Sequence, residues 1–273
     1  MSATVSADTA TPVEKVSIDR EPPPCRVAFL GRVPYQEAWD LQRSLAVRRV
    51  ADEIPDTLLL LEHPHTFTIG RTGDPANILI AGDQLAALGA EVFDIDRGGD
   101  VTYHGPGQLV GYPIMLVEDR RDLLQYIRNL EESIILALAD FGIQGGGIPG
   151  LSGVWIGNDK IAAIGVKMGR VTSHGFALNV TTDLSYFGHI VPCGIRGRGV
   201  TSMAEQKAAS TQSTDREMLS PESGARGTNG DQGELEVSVE SVASSVSNAF
   251  GQVFGRRILV LDRFDANALL ASG

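Results

Sequence analysis

The sequence contains little cysteine: Cys25 and Cys193 are the only two in 273 residues, and no C-x-x-C pair exists. Two distant thiols provide neither a disulfide framework nor a cysteine-rich metal site. Proteins that depend on disulfides belong to oxidising compartments. The first 24 residues also lack the apolar stretch of a secretory signal. We therefore expect a cytoplasmic protein.

Long apolar runs and an excess of positive charge are also lacking. No run approaches the roughly 18 apolar residues that a membrane-spanning helix needs. The formal net charge of −11 argues against non-specific nucleic-acid binding, which requires a broad basic surface. We expect neither a membrane nor a nucleic acid among the partners.

Sequence motifs for the common cofactors are missing as well. The glycines at 145–147 are not followed by Gly-Lys-Ser/Thr, so no phosphate-binding P-loop is present, and no G-x-G-x-x-G joins a strand to a helix. The five histidines are scattered, whereas zinc sites favour short characteristic spacings. No G-x-S-x-G elbow supports a serine triad. We expect no metal and no cofactor.

The apolar residues that are present recur with the periods of strands and helices. Helices are predicted at 34–46, 83–88, 122–141 and 239–253. Strands are predicted at 26–31, 56–63, 66–70, 91–96, 101–104, 109–117, 154–156, 160–167, 175–180 and 257–261. Because the two kinds of element do not alternate regularly, the fold class expected is α+β, a mixed β-sheet with packed helices.

Two segments lack apolar periodicity. Residues 1–24 end in three prolines, and residues 207–233 consist mainly of serine, glycine, threonine and charged side chains. Such compositions cannot bury enough apolar surface to fold. We predict a disordered N-terminal tail at 1–24 and a single domain at 25–273 with a disordered insertion at 207–233.

Cys193 stands out within the sequence Val-Pro-Cys-Gly-Ile at 191–195. Proline fixes a backbone angle and glycine removes a side chain, so the sulfur could be exposed on a rigid turn. A thiol with a pKa near about 8.5 is only a few per cent thiolate at neutral pH, and a nearby cation would raise that fraction. The alternative is a buried, inert cysteine.

A glycine-rich segment, RGGDVTYHGPGQ, occupies residues 97–108. Glycines let a backbone approach a ligand closely and expose its N–H groups. A tight corner of a sheet would need one or two glycines, but it would not need Arg97, His104 and Gln108 among them. The segment is therefore a candidate binding segment.

Taken together, these residues resemble the lipoyl(octanoyl) transferases, the octanoyl-[acyl-carrier-protein]:protein N-octanoyltransferases of lipoate biosynthesis and protein lipoylation. The resemblance runs from about 35 to 195 and resumes weakly in the last predicted helix. It rests on LLLLEHPHTFTIGR (58–71), RGGDVTYHGPGQLVGYPI (97–114), KIAAIG (160–165), HGFALNV (174–180) and VPCGI (191–195). The tail and the insertion lie outside the family pattern.

The resemblance implies the fold of the biotin and lipoate ligase catalytic domains. It also implies transfer of octanoyl from acyl carrier protein, through an acyl-cysteine thioester, to a lysine of lipoyl domains. The acceptors would be the lipoyl domains of 2-oxoacid dehydrogenase complexes and the glycine cleavage H protein. By the family pattern, Cys193 and Lys160 are the catalytic residues. Thioester to amide runs downhill, so no ATP is needed.

The family's substrate contacts match three segments of this sequence. They are Arg97, Gly98, Gly99, Asp100, Val101, Thr102, Tyr103 and His104; Ala163, Ile164 and Gly165; and Gly175, Phe176 and Ala177. Backbone N–H groups near 193–194 or in 97–107 are candidate donors to the oxyanion.

Three other functions are compatible with parts of the pattern. An ATP-dependent lipoate or biotin ligase shares the fold and a lysine, but would need nucleotide and no cysteine. A non-catalytic module for acyl carrier or lipoyl domains would bind without turnover. A thiol hydrolase would release free acid in place of an amide.

Overall fold

The computed structural model describes residues 21–117, 122–191, 197–218, 235–262 and 268–269, and for 212–218 it describes the backbone only. The strands are β1 (Pro24–Arg32), β2 (Asp56–Glu62), β3 (Thr66–Ile69), β4 (Glu91–Asp94), β5 (Val101–His104), β6 (Gln108–Ile114), β7 (Val154–Ile156), β8 (Asp159–Met168), β9 (Thr172–Asn179), β10 (Gly199–Val200) and β11 (Arg257–Val260). The α-helices are α1 (Tyr35–Val50), α2 (Gly82–Ala87), α3 (Leu123–Asp140), α4 (Met203–Met218) and α5 (Val239–Phe254), and 3₁₀ turns cover Pro75–Asn77 and Leu184–His189. Every helix and strand predicted from the sequence is present, with ends that differ by a few residues.

The strands form two sheets. The larger sheet has eight strands in the order β10-β8-β9-β6-β2-β1-β11, with β7 paired to β8. Its β1–β2, β1–β11 and β8–β10 pairs are parallel, and the others are antiparallel. The smaller sheet has the order β4-β3-β5. The expected mixed sheet with packed helices is confirmed.

Strand β2 explains how the core is divided. Leu58 and Leu60 belong to one apolar cluster, whereas Leu59 and Leu61 belong to another. Successive side chains of a strand point to opposite faces, so an uninterrupted run of leucines indicates a strand covered on both sides. The larger sheet is accordingly the middle layer of the molecule.

Helices cover both faces of this sheet. On one face, α3 and α5 pack together, and each buries residues four apart, as one stripe of a helix requires. The stripes are Leu130, Ile134 and Leu138 in α3 and Val242, Val246 and Phe250 in α5. On the other face, α1 buries Ala38, Leu41 and Leu45. Among the helices of the described ranges, none has the length and apolar character needed to cross a bilayer.

Helix α4 overlaps the first part of the segment predicted as an insertion. It runs to Met218, so residues 207–218, the first part of the segment predicted as a disordered insertion, are helical. Eleven of the sixteen residues of α4 are methionine, alanine, glutamate, glutamine, lysine or arginine, which favour helix even without an apolar stripe. Residues 219–233 lie outside the described residues, as do 1–20 of the predicted tail, and Pro24 already belongs to β1.

Candidate functional site

A cavity of about 300 Å³ lies over the β8–β9 pair and under the glycine-rich segment. Its floor follows the register of the two strands, in which Ala163 lies opposite Ala177, Ile164 opposite Phe176 and Gly165 opposite Gly175. The lining residues are Tyr35, Thr72, Arg97, Gly99, Asp100, Thr102, His104, Val110, Tyr112, Gly150, Leu151, Ser152, Lys160, Ala163, Ile164, Gly165, His174, Gly175, Phe176 and Ala177. Three segments predicted as substrate contacts and the predicted catalytic lysine thus meet at one cavity.

Three of the predicted contacts do not line this cavity. Val101 and Tyr103 alternate with Thr102 and His104 along β5, so their side chains face the core of the smaller sheet. Gly98 instead donates its N–H to the Val166 carbonyl at 3.0 Å and so ties the segment to β8.

Lys160 lies in the β7–β8 hairpin, directly opposite Trp155. Its Nζ is 4.7 Å from the centroid of the Trp155 ring, within range of a cation–π interaction. Gly153 is at φ 107°, where a side chain is rarely tolerated. A Cβ there would lie 2.5 Å from the Ala162 carbonyl oxygen and 3.4 Å from Lys160 Cε. The lysine stem is therefore packed between an indole ring and a bare backbone.

Cys193 lies outside the described residues. The described residues on each side of it are linked by hydrogen bonds to Asp100 and Lys160, which line the cavity. On one side, Val191 donates to the carbonyl of Asn77 at 2.8 Å, and the Asn77 amide donates to Asp100 at 2.7 Å. On the other side, Val200 pairs with Lys160 in the β8–β10 ladder.

The second cysteine, Cys25, is fully buried in β1. Burial, and then the nearby Asp56 carboxylate, raise the pKa of its thiol to about 12. A thiol in this environment is protonated and inert at physiological pH.

Arg97 fills a slot made by glycines. Its guanidinium donates to the Thr68 carbonyl at 3.0 Å and to the Thr68 hydroxyl at 2.9 Å. A Cβ on Gly70 would lie 2.7 Å from Arg97 Nη1, and a Cβ on Gly165 would lie 2.8 Å from Arg97 Cδ. These glycines make room for the arginine, which fixes the segment above β8.

Sequence reasoning missed a polar cluster of Asp96, Lys167 and His174, of which His174 lines the cavity. Asp96 accepts a hydrogen bond from His174 Nε2 at 2.8 Å and another from Lys167 Nζ. Burial acts to raise the pKa of Asp96, but the hydrogen bonds from Lys167 and His174 lower it to about 2. His174 is itself at φ 56° and is 2% exposed. Burial lowers its pKa despite Asp96, so the imidazole is neutral at physiological pH.

A chain of buried hydrogen bonds leads from the cavity toward Lys160. His104 Nδ1 lies 2.8 Å from Gln108 Oε1, and Gln108 Nε2 lies 2.9 Å from Asn179 Oδ1. Asn179 Nδ2 lies 3.0 Å from the Thr201 carbonyl, and the Thr201 N–H donates to the Lys160 carbonyl at 3.0 Å. Burial, and then the nearby His63, lower the pKa of His104 to about 3.

Aromatic and imidazole groups close the far wall. His63 Nδ1 lies 2.7 Å from the Val33 carbonyl and its Nε2 lies 2.7 Å from the Tyr112 hydroxyl. The ring of Tyr35 packs against those of His63 and His104. In the described part of the chain, no group of three His, Cys, Asp or Glu side chains is arranged to hold a metal ion.

Comparison with known proteins finds a matching family and close relatives. Residues 34–219 match the family described as lipoyl protein ligase A/B catalytic domain. An octanoyltransferase of Rubrobacter xylanophilus is 57% identical over 179 residues, which are 64% of this chain and 80% of that protein. An octanoyltransferase of Solibacter usitatus is 56% identical over 182 residues, which are 66% of this chain and 82% of that protein.

Two solved structures share the fold. Lipoate-protein ligase A bound with ATP superposes with a TM-score of 0.62 at 17% identity, covering 91% of this chain and 93% of that one. The bipartite lipoate protein ligase of Thermoplasma acidophilum gives 0.59 at 19% identity, covering 91% of each chain. The likeness to lipoate ligases that the sequence led us to expect is confirmed at the level of the fold.

Proposed function

Because the chain belongs to the lipoyl protein ligase A/B catalytic-domain family and is more than half identical to octanoyltransferases, we propose that it is an octanoyltransferase of lipoate biosynthesis. The octanoyl donor is the thioester of acyl carrier protein. The acceptors are lysines of lipoyl domains in 2-oxoacid dehydrogenase complexes and in the glycine cleavage H protein. No ATP is consumed, since a thioester is more reactive than the amide that replaces it.

The reaction has two half-reactions joined by an acyl-enzyme. The Cys193 thiolate attacks the octanoyl carbonyl, a sulfur–carbon bond forms, and the bond to the carrier's sulfur breaks. The proton of the cysteine ends on the carrier thiol. The amine of the acceptor lysine then attacks the acyl-cysteine, a nitrogen–carbon bond forms, and the amine proton ends on Cys193. Lys160 carries the proton in each half-reaction.

The observation that carries this proposal is the convergence of Lys160 and the three glycine-containing segments on one cavity. Val200, seven residues after Cys193 in the sequence, pairs with Lys160 in the β8–β10 ladder. An ammonium beside a thiol favours the thiolate. This arrangement supports Cys193 as nucleophile and Lys160 as its partner.

The apolar part of the cavity suits a saturated acyl chain. Val110, Ile164 and Phe176 contribute apolar surface, and Ala163 and Ala177 leave space between them. Gly111 lies under the Phe176 ring, since a Cβ at that position would come within 2.1 Å of the ring. Backbone N–H groups of the glycine-rich segment are the candidate donors to the oxyanion of each tetrahedral intermediate.

The proposal is tested by intact-protein mass spectrometry with peptide mapping, after octanoyl-acyl carrier protein is mixed with the chain without ATP. We expect an octanoyl adduct on Cys193 that disappears when a lipoyl domain is added. Cys193→Ser should form no turnover-competent adduct, whereas Cys25→Ser should behave as the natural chain. Acyl transfer that requires ATP and free octanoate would identify a ligase and would overturn the proposal.

A further inference from the structure

The hydrogen-bond chain from His104 to Thr201 has a single direction. A backbone carbonyl only accepts hydrogen bonds, so Asn179 must present Nδ2 to Thr201 and Oδ1 to Gln108. Gln108 must then present Nε2 to Asn179, and the same nitrogen also donates to the Tyr103 carbonyl at 3.2 Å. The Gln108 oxygen that remains faces His104. His104 Nδ1 must therefore carry a proton.

The second ring nitrogen of His104 is consequently a lone-pair acceptor. A neutral imidazole has one N–H and one unprotonated nitrogen, and burial keeps this ring neutral by lowering its pKa to about 3. Nε2 has no hydrogen-bond partner among the described residues. The buried polar side-chain atoms of these residues that lack a partner are Gln42 Nε2, Tyr126 Oη, Trp155 Nε1 and His174 Nδ1, so His104 Nε2 is not fully buried. It is thus accessible, and the space that His104 lines is the cavity.

The same amides lie beside the predicted catalytic lysine. Gln108 and Asn179 are opposite each other in the β6–β9 pair, and both are almost fully buried. Together with Lys160 and Thr102 they line a separate small pocket that shares these two residues with the cavity. Thr102 also lines the main cavity next to His104, on the same face of β5. One hydrogen-bond network therefore fixes the orientation of the His104 imidazole and is also bonded to the strand that carries Lys160.

We propose that Gln108 and Asn179 are positioning residues that hold His104 in its Nδ1-protonated form, so that Nε2 accepts a hydrogen bond from the acceptor amine when it enters the cavity. This inference rests on the proposed function. An attacking amine has an N–H to donate while its lone pair faces the thioester carbon. A thiolate has none, so the first half-reaction does not use this contact. His104 orients the amine and takes no proton, which passes through Lys160 to the cysteine sulfur.

The variant Gln108→Glu tests the direction of the network. A carboxylate cannot donate to Asn179, and its charge beside His104 favours the imidazolium, whose Nε2 donates and no longer accepts. We expect attack by a lipoyl domain on pre-formed acyl-enzyme to slow at least about tenfold, the loss expected for one hydrogen bond. Formation of the acyl-enzyme should change less than about threefold. Gln125→Glu, the same change on the exposed side of α3, is the control and should leave both rates unaltered.

Single-turnover rates of the two half-reactions, followed by intact mass, decide the outcome. Equal slowing of both, or of neither, would overturn the inference while leaving the acyl-enzyme in place. If the natural chain forms no adduct on Cys193, the proposed function fails first.

A second measurement does not depend on the variant folding or on turnover. Nitrogen-15 NMR of the natural chain at pH 7, with the His104 signal assigned by its loss in His104→Gln, reports the tautomer directly. We expect a neutral ring protonated on Nδ1. An Nε2–H tautomer or an imidazolium would overturn the inference.

Discussion

The position of the Lys160 side chain depends on two neighbours, Trp155 and Gly153, that have no reactive group of their own. Trp155 lies across the hairpin from it and offers its ring to the ammonium. Gly153 leaves the space that the lysine stem occupies, and its N–H is held by the buried Glu131 carboxylate at 2.9 Å. The sequence pattern points to Lys160 itself, but it does not reveal these contacts.

Replacing Lys160 by alanine tests its role directly. We expect turnover to fall by about a hundredfold or more, as for loss of a proton-transfer group, and the pKa of the Cys193 thiol to rise because a nearby cation is removed. Iodoacetamide alkylation of Cys193 as a function of pH measures that shift. Lys207→Ala is the control, since Lys207 binds the Phe141 carbonyl outside the cavity. An unchanged alkylation profile would remove Lys160 from this role.

Gly153→Ala tests the space behind the lysine. The φ of 107° and the 2.5 Å approach to the Ala162 carbonyl mean that the backbone must shift. We expect a loss of about 1–2 kcal/mol in unfolding free energy together with a fall in kcat, measured by urea unfolding and steady-state kinetics. Gly146→Ala is the matched control, because a Cβ there meets nothing within 4 Å. Equal behaviour of the two variants would contradict the packing described here.

Among the elements, those with a clear apolar period were predictable from the sequence. The apolar stripes of α3 and α5 and the run of leucines in β2 are each visible within one continuous stretch of sequence. Helix α4 was not predictable, because its residues carry helix propensity without an apolar stripe. The hydrogen bond between Gln108 and Asn179 was not predictable either, because it joins side chains 71 residues apart that meet only through the order of the strands in the sheet.

Helix α5 has a defined start that can be tested. Ser238 is its N-cap, and its hydroxyl accepts from the Ser241 N–H at 3.1 Å. We expect Ser238→Ala to lower the free energy of unfolding by about 1 kcal/mol and to leave the kinetics of acyl transfer unchanged. Ser244→Ala, on the exposed side of the same helix, should cost less. A loss at 244 as large as at 238 would show that the cap is not the cause.

At the scale of the whole molecule, the glycine-rich segment joins the two sheets. Its β5 part pairs with β3 in the smaller sheet, and its last residue, Gln108, begins β6, which pairs with β2 and β9 in the larger one. The segment before Cys193 packs on the smaller sheet through Phe187 and Ile190, whereas Lys160 belongs to the larger sheet. The described residues that precede Cys193 and the strand that carries Lys160 thus belong to different sheets.

Buried histidines make the stability of the fold depend on pH. Burial lowers the pKa of His63 to about 4 and that of His104 to about 3, below about 6.5 in the unfolded chain. Between these values the unfolded state binds more protons, so stability falls as pH decreases below about 6.5. We expect a loss on the order of a few kcal/mol by pH 4, measured as urea midpoints from pH 7 to pH 4. A flat profile would show that these imidazoles are not buried as described.

The burial of Cys25 means that, of the two thiols in the sequence, only Cys193 is a candidate for chemical labelling. A reagent that requires thiolate and access meets neither at Cys25. A fluorophore, spin label or mechanism-based acyl probe can therefore be directed to Cys193 in the natural sequence, with no cysteine removed beforehand. If Cys193 is the nucleophile, as proposed, octanoyl carrier should prevent the labelling, which gives an assay that needs no purified acceptor.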